Sequence, residues 1–353
     1  MQQYKKFIWN TAAAFLVIMG MVFGFVTWMD PFRNLGFAWT TPFISDRNIA
    51  YKRFKLLENT SQVTDLIVGS STSEVFVPQV LKDRFGVQAF TVSTGGAGVA
   101  LRYLLVKQAI DTQPQLKRII YVADLFEFEN SELNTSAYYQ SEMIKKLDPD
   151  LMSTTKPGLI ARLNDYFSYF VIDRSIRTLK DIIAQKKGKY VSAYHPDGST
   201  TMSMIGAWPR SEGIAKNALR SALGMEPLYG KMQILHPESR KVFEKMVKVV
   251  EAKEGLELHL VITPFHEAFF KYYETRFEKN RVYSEWVKEL RSLQSLSRRV
   301  HIHDFSYPEY FRAGVGSEDR FWNDGVHFSS ETMLIMANRI YSHVQGTAKS
   351  PGQ

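Results

Sequence analysis

From Phe7 to Met29 the chain runs 23 residues without a single charge. At 1.5 Å per residue, a helix of that length crosses a hydrocarbon core of about 30 Å with a little to spare. Lys5 and Lys6 precede the run, Asp30 follows it, and Trp9 and Trp28 stand near its ends, where indole rings favour the membrane interface. The charge asymmetry orients the N-terminus inward and the body outward. A cleaved signal peptide needs a small-x-small site, and Val26-Thr27-Trp28-Met29-Asp30-Pro31 offers none. A buried core helix is rarely so long and so free of charge, and Pro31 closes the run. Residues 1–30 therefore read as a cytoplasmic tip and an uncleaved transmembrane anchor, with the chain exported from about residue 31.

The chain has 353 residues, enough for a large α/β domain with a substantial core. It contains no cysteine, which excludes a disulfide scaffold, a thiolate nucleophile and a Cys-ligated metal. The net charge is +8, but the 44 Lys and Arg are scattered rather than gathered in one block. Beside an anchor, that charge fits anionic lipid or an envelope polymer, and no nucleic acid is expected as a partner.

After an aromatic, proline-containing linker (31–60), short β-branched runs alternate with helical patterns. Strands are expected at Asp65–Gly69, Gln88–Ser93, Arg118–Ala123, Leu256–Thr263 and Val300–Asp304. Helices are expected at Pro78–Phe85, through Leu101, Leu104, Leu105 and Ala109, and at about Ser330–His343. Such alternation predicts an α/β fold, a three-layer α/β/α sandwich with a mainly parallel sheet, over residues 61–345, with a flexible tail at 346–353. The segment 126–250 interrupts it, and an insertion at the carboxyl end of a strand roofs the ligand crevice of such a sheet, so it is read as a lid; a helical insertion without substrate contact is the alternative. Within it, Tyr194–Gly198 has the composition of a turn.

Three motifs carry chemistry. Gly69-Ser70-Ser71-Thr72-Ser73-Glu74 follows the first strand; a serine at such a turn is presented at the sheet edge, although Ser71-x-x-Glu74 also matches a capping box. Ser93-Thr94-Gly95-Gly96-Ala97-Gly98 follows the second, where glycines allow backbone N–H groups to approach an oxyanion, a phosphate or merely the next turn. It matches neither the dinucleotide fingerprint nor a Walker motif, so no cofactor is expected. Asn323-Asp324-Gly325-Val326-His327 precedes the last helix, and Asp-x-x-His supplies an imidazole base with a carboxylate to orient it, or a turn, or two ligands of a metal. The neighbouring His301, His303 and Asp304 lie on a strand pattern, and no metal is assigned.

Taken in order, Gly69-Ser70-Ser71, Ser93-x-Gly95-x-x-Gly98 and Asp324-x-x-His327 resemble blocks I, II and V of the SGNH (GDSL-type) hydrolases. The resemblance implies Ser71 as nucleophile, His327 as base, Asp324 as its partner, and the N–H groups of Ser71 and Gly95 as an oxyanion hole, with Ser70 at the position of the family's aspartate. It departs at block II, where Ser93 replaces an asparagine, and at block III, where Tyr121-Val122-Ala123-Asp124 lacks the Gly-x-Asn-Asp pattern. Asp124 stands near the missing oxyanion donor, and His266, after the fourth strand, is a substitute donor or a helix cap. The anchor and the Gly-Ser-Ser variant are similar to DltD-like and AlgJ/AlgX-like cell-envelope proteins. That similarity implies a single-pass protein of the bacterial inner membrane with its domain on the periplasmic side, adding or removing an O-acyl group, acetyl or D-alanyl, on an envelope polysaccharide or acyl carrier. A multi-span membrane O-acyltransferase is the implied partner. A lipase or lysophospholipase, with an acyl channel lined by Tyr166, Phe167, Tyr169 and Phe170, and a catalytically degenerate glycan-binding scaffold are the alternatives.

Overall fold

A computed structural model of the chain describes residues 2–30, 49–94, 98–124, 146–151, 168–189, 192, 194–200, 213–229, 237–276, 281–324 and 326–347. The chain divides into two compact units, one of residues 1–52 and 137–192, the other of 53–136 and 193–353.

In the first unit α1 (Gln2–Met29) is one continuous helix, long and apolar enough to cross a membrane. Most of it is exposed, but Val26, Met29 and Asp30 at its end are buried. Val22, Phe25 and Val26 pack there against Val171 and Ile172 of α5 (Tyr169–Lys186). Ser168 caps α5 by accepting the Val171 N–H at 3.2 Å.

The second unit is built on β1 (Asp65–Val68), β2 (Ala89–Thr91), β3 (Arg118–Ala123), β4 (Glu257–Ile262) and β5 (Val300–Asp304). They form one sheet in the order β2-β1-β3-β4-β5, with every neighbouring pair parallel. The three central strands are apolar on both faces, as burial between two helical layers requires. One face carries Ile67, Ile120, Val122 and Val261, packed with Leu81 of α3 (Pro78–Phe85) and Met333, Met336 and Ile340 of α11 (Ser330–Thr347). Against the other lie α4 (Val99–Thr112) and α7 (Pro237–Ala252); the Tyr121 ring meets Phe243 edge-on at 5.3 Å. The result is a three-layer α/β/α sandwich preceded by an apolar helix.

Four local expectations shift. The stretch read as linker contains α2 (Ile49–Glu58), which α4 pins through Gln108 Nε2 to the Phe54 carbonyl (2.6 Å) and Gln113 Nε2 to the Leu57 carbonyl (3.0 Å). The second strand proper is only three residues long, although backbone bonds from Val92 N–H to the Ile67 carbonyl and from Thr94 N–H to the Gly69 carbonyl (2.9 Å each) carry its pairing with the β1 segment further. The segment 126–250 is not all roof: its last helix, α7, covers the sheet, while α6 (Ile214–Tyr229) packs on α8 (Glu267–Arg276). The last helix runs four residues beyond His343. The turn at Tyr194–Gly198 is present, and it docks on β2 through Thr91 N–H to the Asp197 carbonyl at 3.0 Å. Gly198 sits there at φ +79° against the Thr91 carbonyl, where a side chain has no room.

Candidate active site

In the strand order β2-β1-β3 the chain reverses direction between β1 and β3, and ligands of open α/β sheets bind at the carboxyl ends of such strands. Gly69 leaves β1 at that point. A Cβ on Gly69 would run into Ser73 Oγ, so only glycine lets the chain fold back so tightly. Ser70 then caps a short 3₁₀ helix, Ser71–Val75, by accepting the Thr72 N–H at 3.4 Å. This arrangement resolves the ambiguity of the capping-box pattern: the cap is Ser70, and Ser71 keeps its hydroxyl for another partner. Ser73 donates to the Ser70 carbonyl (2.6 Å) and contacts Ser93 Oγ (2.5 Å), tying the turn to the end of β2.

Ser71 Oγ lies 2.9 Å from His327 Nε2. His327 Nδ1 lies 2.8 Å from Asp324 Oδ2. The second Asp324 oxygen accepts the backbone N–H groups of Val326 and His327, each at 2.7 Å, so the carboxylate also folds the loop that carries the histidine. A carboxylate only accepts, so the proton sits on Nδ1 and Nε2 is left to accept from the Ser71 hydroxyl. Burial pushes the Asp324 carboxyl up, but the hydrogen bonds from the His327 side chain and backbone outweigh it and hold it below the usual carboxylate range. Asn323 Nδ2 donates to the Phe328 carbonyl (3.1 Å) and braces the loop from behind.

The remaining expected site residues are placed differently from one another. Ser70 is the cap just described, and Gly95 lies outside the described residues. Asp124, at the carboxyl end of β3, accepts from Arg102 Nη2 at 3.1 Å, while Nη1 reaches the Val122 carbonyl at 3.2 Å. Both partners are buried, so the residue expected near the missing oxyanion donor is instead held in an ion pair with Arg102. His266 has both ring nitrogens engaged: Nδ1 accepts the Ala268 N–H (3.1 Å), capping α8, and Nε2 faces the Ser317 carbonyl (3.3 Å). Of the aromatics considered as an acyl channel, Tyr166, Phe167 and the Phe170 side chain lie outside the described residues, and Tyr169 is 84% exposed on α5.

Two arginines emerge that the motif pattern does not mark. Arg102 interrupts the apolar run Val99-Ala100-Leu101-Arg102-Tyr103-Leu104-Leu105, and a charge within such a run demands a buried partner. Arg53 is fully buried, donates from Nε to the Gly198 carbonyl (3.1 Å), lies over the Tyr194 ring (5.1 Å) and approaches Glu74 at 3.5 Å. Burial pushes Glu74 up, and Arg53 and His327 pull it back only partly. Glu74 thus links α2 to the turn that carries Ser71 instead of closing a capping box.

No protein-family model matches the chain. No curated protein matches it. Among solved structures, a chain from Streptococcus pneumonia, provisionally described as a platelet activating factor, aligns with 84% of this chain and 92% of its own length, at 11% identity and a TM-score of 0.38. So distant a likeness carries no argument, and the fold and site rest on the topology and distances given above.

Proposed function

We propose that the protein is a membrane-anchored serine acyltransferase or esterase of SGNH type, acting outside the cytoplasmic membrane on an O-acyl group, acetyl or D-alanyl, of a cell-envelope polysaccharide. The observation that carries this reading is the line Ser71 Oγ, His327 Nε2, Nδ1, Asp324 Oδ2, with separations of 2.9 and 2.8 Å. As the Ser71 oxygen attacks the acyl carbonyl, its proton passes to His327 Nε2, and Asp324 stabilises the imidazolium. The imidazolium returns the proton to the leaving alkoxide, and an acyl-serine remains. Then His327 deprotonates an acceptor hydroxyl, or water, which displaces the acyl group and frees Ser71. By the family resemblance, the Ser71 and Gly95 N–H groups hold the oxyanion.

Retention of α1 as an anchor is supported by its packing: Val26, Met29 and Asp30 are buried, with Val26 against α5, a contact that cleavage would forfeit. α5 also turns Tyr169, Ile176 and Ile183 outward at seven-residue spacing, beside exposed Arg177, Lys180, Lys186, Lys187 and Lys189. Such an apolar stripe flanked by cations suits a helix lying in the membrane interface. A multi-span O-acyltransferase as partner follows from the resemblance alone.

One observation favours the degenerate scaffold instead, namely that Asp124, bound to Arg102, stands where the family places an asparagine donor. Labelling with a serine-directed fluorophosphonate decides between them. Wild type should label, Ser71→Ala should not, and label-reactive protein should release the aryl alcohol of a generic aryl acetate in a burst as Ser71 is acylated, with acetate following only at the slower deacylation rate. Equal labelling of both forms, or of neither, overturns the catalytic reading.

A further inference from the structure

At the opposite end of the sheet from Ser71, the first turns of β4 and β5 bring two imidazoles and a carboxylate together. His259 on β4 and His301 on β5 are register partners, so their side chains leave the same face of the sheet side by side. Glu257 lies two residues before His259 and so projects from that face as well. Glu257 Oε2 is 3.3 Å from His259 Nε2, and Oε1 is 3.6 Å from His301 Nε2. Donor atoms of all three residues lie within 4.8 Å of one another. Tetrahedral bonds of 2.0–2.1 Å to zinc put donor atoms about 3.3 Å apart; the Glu257–His259 separation matches that, and rotation of the half-exposed carboxylate with a shift of the partly exposed His301 ring would complete the set.

The surroundings fit as well. His259 is fully buried, and its Nδ1 lies 2.9 Å from His303 Nε2. With a metal on Nε2, an Nδ1–H donated to His303 would be the second-sphere contact a ligating histidine needs. Without a metal the opposite tautomer satisfies the same contacts, with Nε2–H donated to Glu257 and Nδ1 accepting from His303, so metal binding exchanges that proton for the cation. Glu257 is 41% exposed at its side chain and His301 21%, which leaves an entry path and room for water at a fourth position. Arg118, the other charged group beside Glu257, has its guanidinium matched by the buried carboxylate of Asp65.

We propose that Glu257, His259 and His301 form a divalent transition-metal site of the zinc class, which clamps the edge strand β5 to β4 at the end of the sheet remote from the serine. Two imidazoles with one carboxylate select zinc, cobalt or nickel over magnesium and calcium, which prefer all-oxygen sets. The site is independent of the acyl-transfer reading, because none of its residues touches Ser71, His327 or Asp324.

The test uses the full chain in detergent, stripped with chelator and titrated with Zn²⁺, and with Co²⁺ as a spectroscopic probe. One equivalent should bind, with the intense visible bands of a four-coordinate cobalt site, and His327→Ala should bind equally well. Glu257→Gln and His301→Ala should each weaken binding by at least about 100-fold, and His303→Phe by about 10–100-fold as a second-sphere change. Glu257→Gln is isosteric at a half-exposed position, so its folding is not in question, and circular dichroism verifies it for the others. Failure of wild type to bind one equivalent, binding undiminished in Glu257→Gln and His301→Ala, or loss of binding in His327→Ala overturns the proposal.

Discussion

Ser71 Oγ and His327 Nε2 are 2.9 Å apart although 256 positions separate them in the chain. The contact exists because the turn after β1 and the loop before α11 converge at one edge of the sheet, and because Ser70, not Ser71, caps the turn. A hydroxyl poised this way is the nucleophile of the proposed reaction. Ser71→Ala and His327→Ala should each lower esterase or transferase turnover by about 10⁴-fold or more, and the double variant should be little worse than either, since the two act as one unit. Strictly multiplicative losses would show that they act separately and would refute the shared proton transfer.

Asp324 sets both the tautomer and the loop. An asparagine there offers an N–H to Nδ1, forces the proton onto Nε2 and deprives Ser71 of its acceptor, so Asp324→Asn should cost about 10⁴-fold in kcat while the protein stays folded. The hydrogen bonds that hold its carboxyl below the ordinary range also carry a sign for stability. Because the folded value lies below the unfolded one of about 3.9, the ionised carboxylate stabilises the native state at neutral pH, and that contribution fades as pH falls through the folded value. Melting curves of wild type and Asp324→Asn should therefore be furthest apart near neutrality and converge on acidification. A gap that widens in acid would reverse the assignment.

The sandwich was readable because its central strands are short, mostly apolar runs, interrupted in β4 by His259, that alternate with helical periodicities. The residues that meet at the candidate site, Ser71, His327 and Asp324, were readable because each sits in a short local motif whose order along the chain carries information. Arg102 and Asp124 were not, since the pairing joins a helix to a strand end 22 residues away and no local pattern encodes it. The cap shows a finer limit: Ser70 and Ser71 are chemically identical, and only the backbone geometry after Gly69 decides which hydroxyl bends back and which is presented. The metal-binding proposal marks a third, because alternation along β5 exposes His301 and His303 as a pattern, but the register that brings His259 and Glu257 beside them is tertiary.

Arg102 should be indispensable to the fold edge that holds Asp124. Removing it strands a buried carboxylate, so Arg102→Met should destabilise by about 3–5 kcal/mol, whereas Arg102→Met with Asp124→Leu should recover most of that loss. Chemical denaturation of the three proteins measures it. If the single and double variants are equally unstable, the pair contributes packing rather than charge compensation.

Gly69 is tested by the smallest change available. A methyl there meets Ser73 Oγ and Cβ, with Val122 Cβ close behind at 3.1 Å. Because Ser73 is held by the Ser70 carbonyl and Ser93, it has no free direction to retreat. Gly69→Ala should destabilise by about 1–3 kcal/mol and displace Ser71 enough to lower fluorophosphonate labelling, and Gly69→Ala with Ser73→Gly should restore both. Wild-type labelling in the single variant would mean that the turn adapts and that the close packing at Gly69 is not what positions the nucleophile.

The absence of cysteine makes the proposed membrane contact of α5 directly measurable. If α1 crosses a bilayer as proposed and the stripe Tyr169, Ile176, Ile183 lies in its interface, a fluorophore on Ile176→Cys should be quenched by quencher-bearing lipids in reconstituted vesicles. One on Gln185→Cys should not be, because nine residues is two and a half turns and Gln185 faces the other side of the helix. The flanking lysines predict a further dependence: adding anionic lipid should strengthen quenching at position 176, and salt should weaken it. Equal quenching at 176 and 185 would place α5 away from the lipid surface. Its exposed isoleucines would then need a protein partner, while the packing of Val171 on Val26 and the reading of α1 as an anchor would stand unaffected.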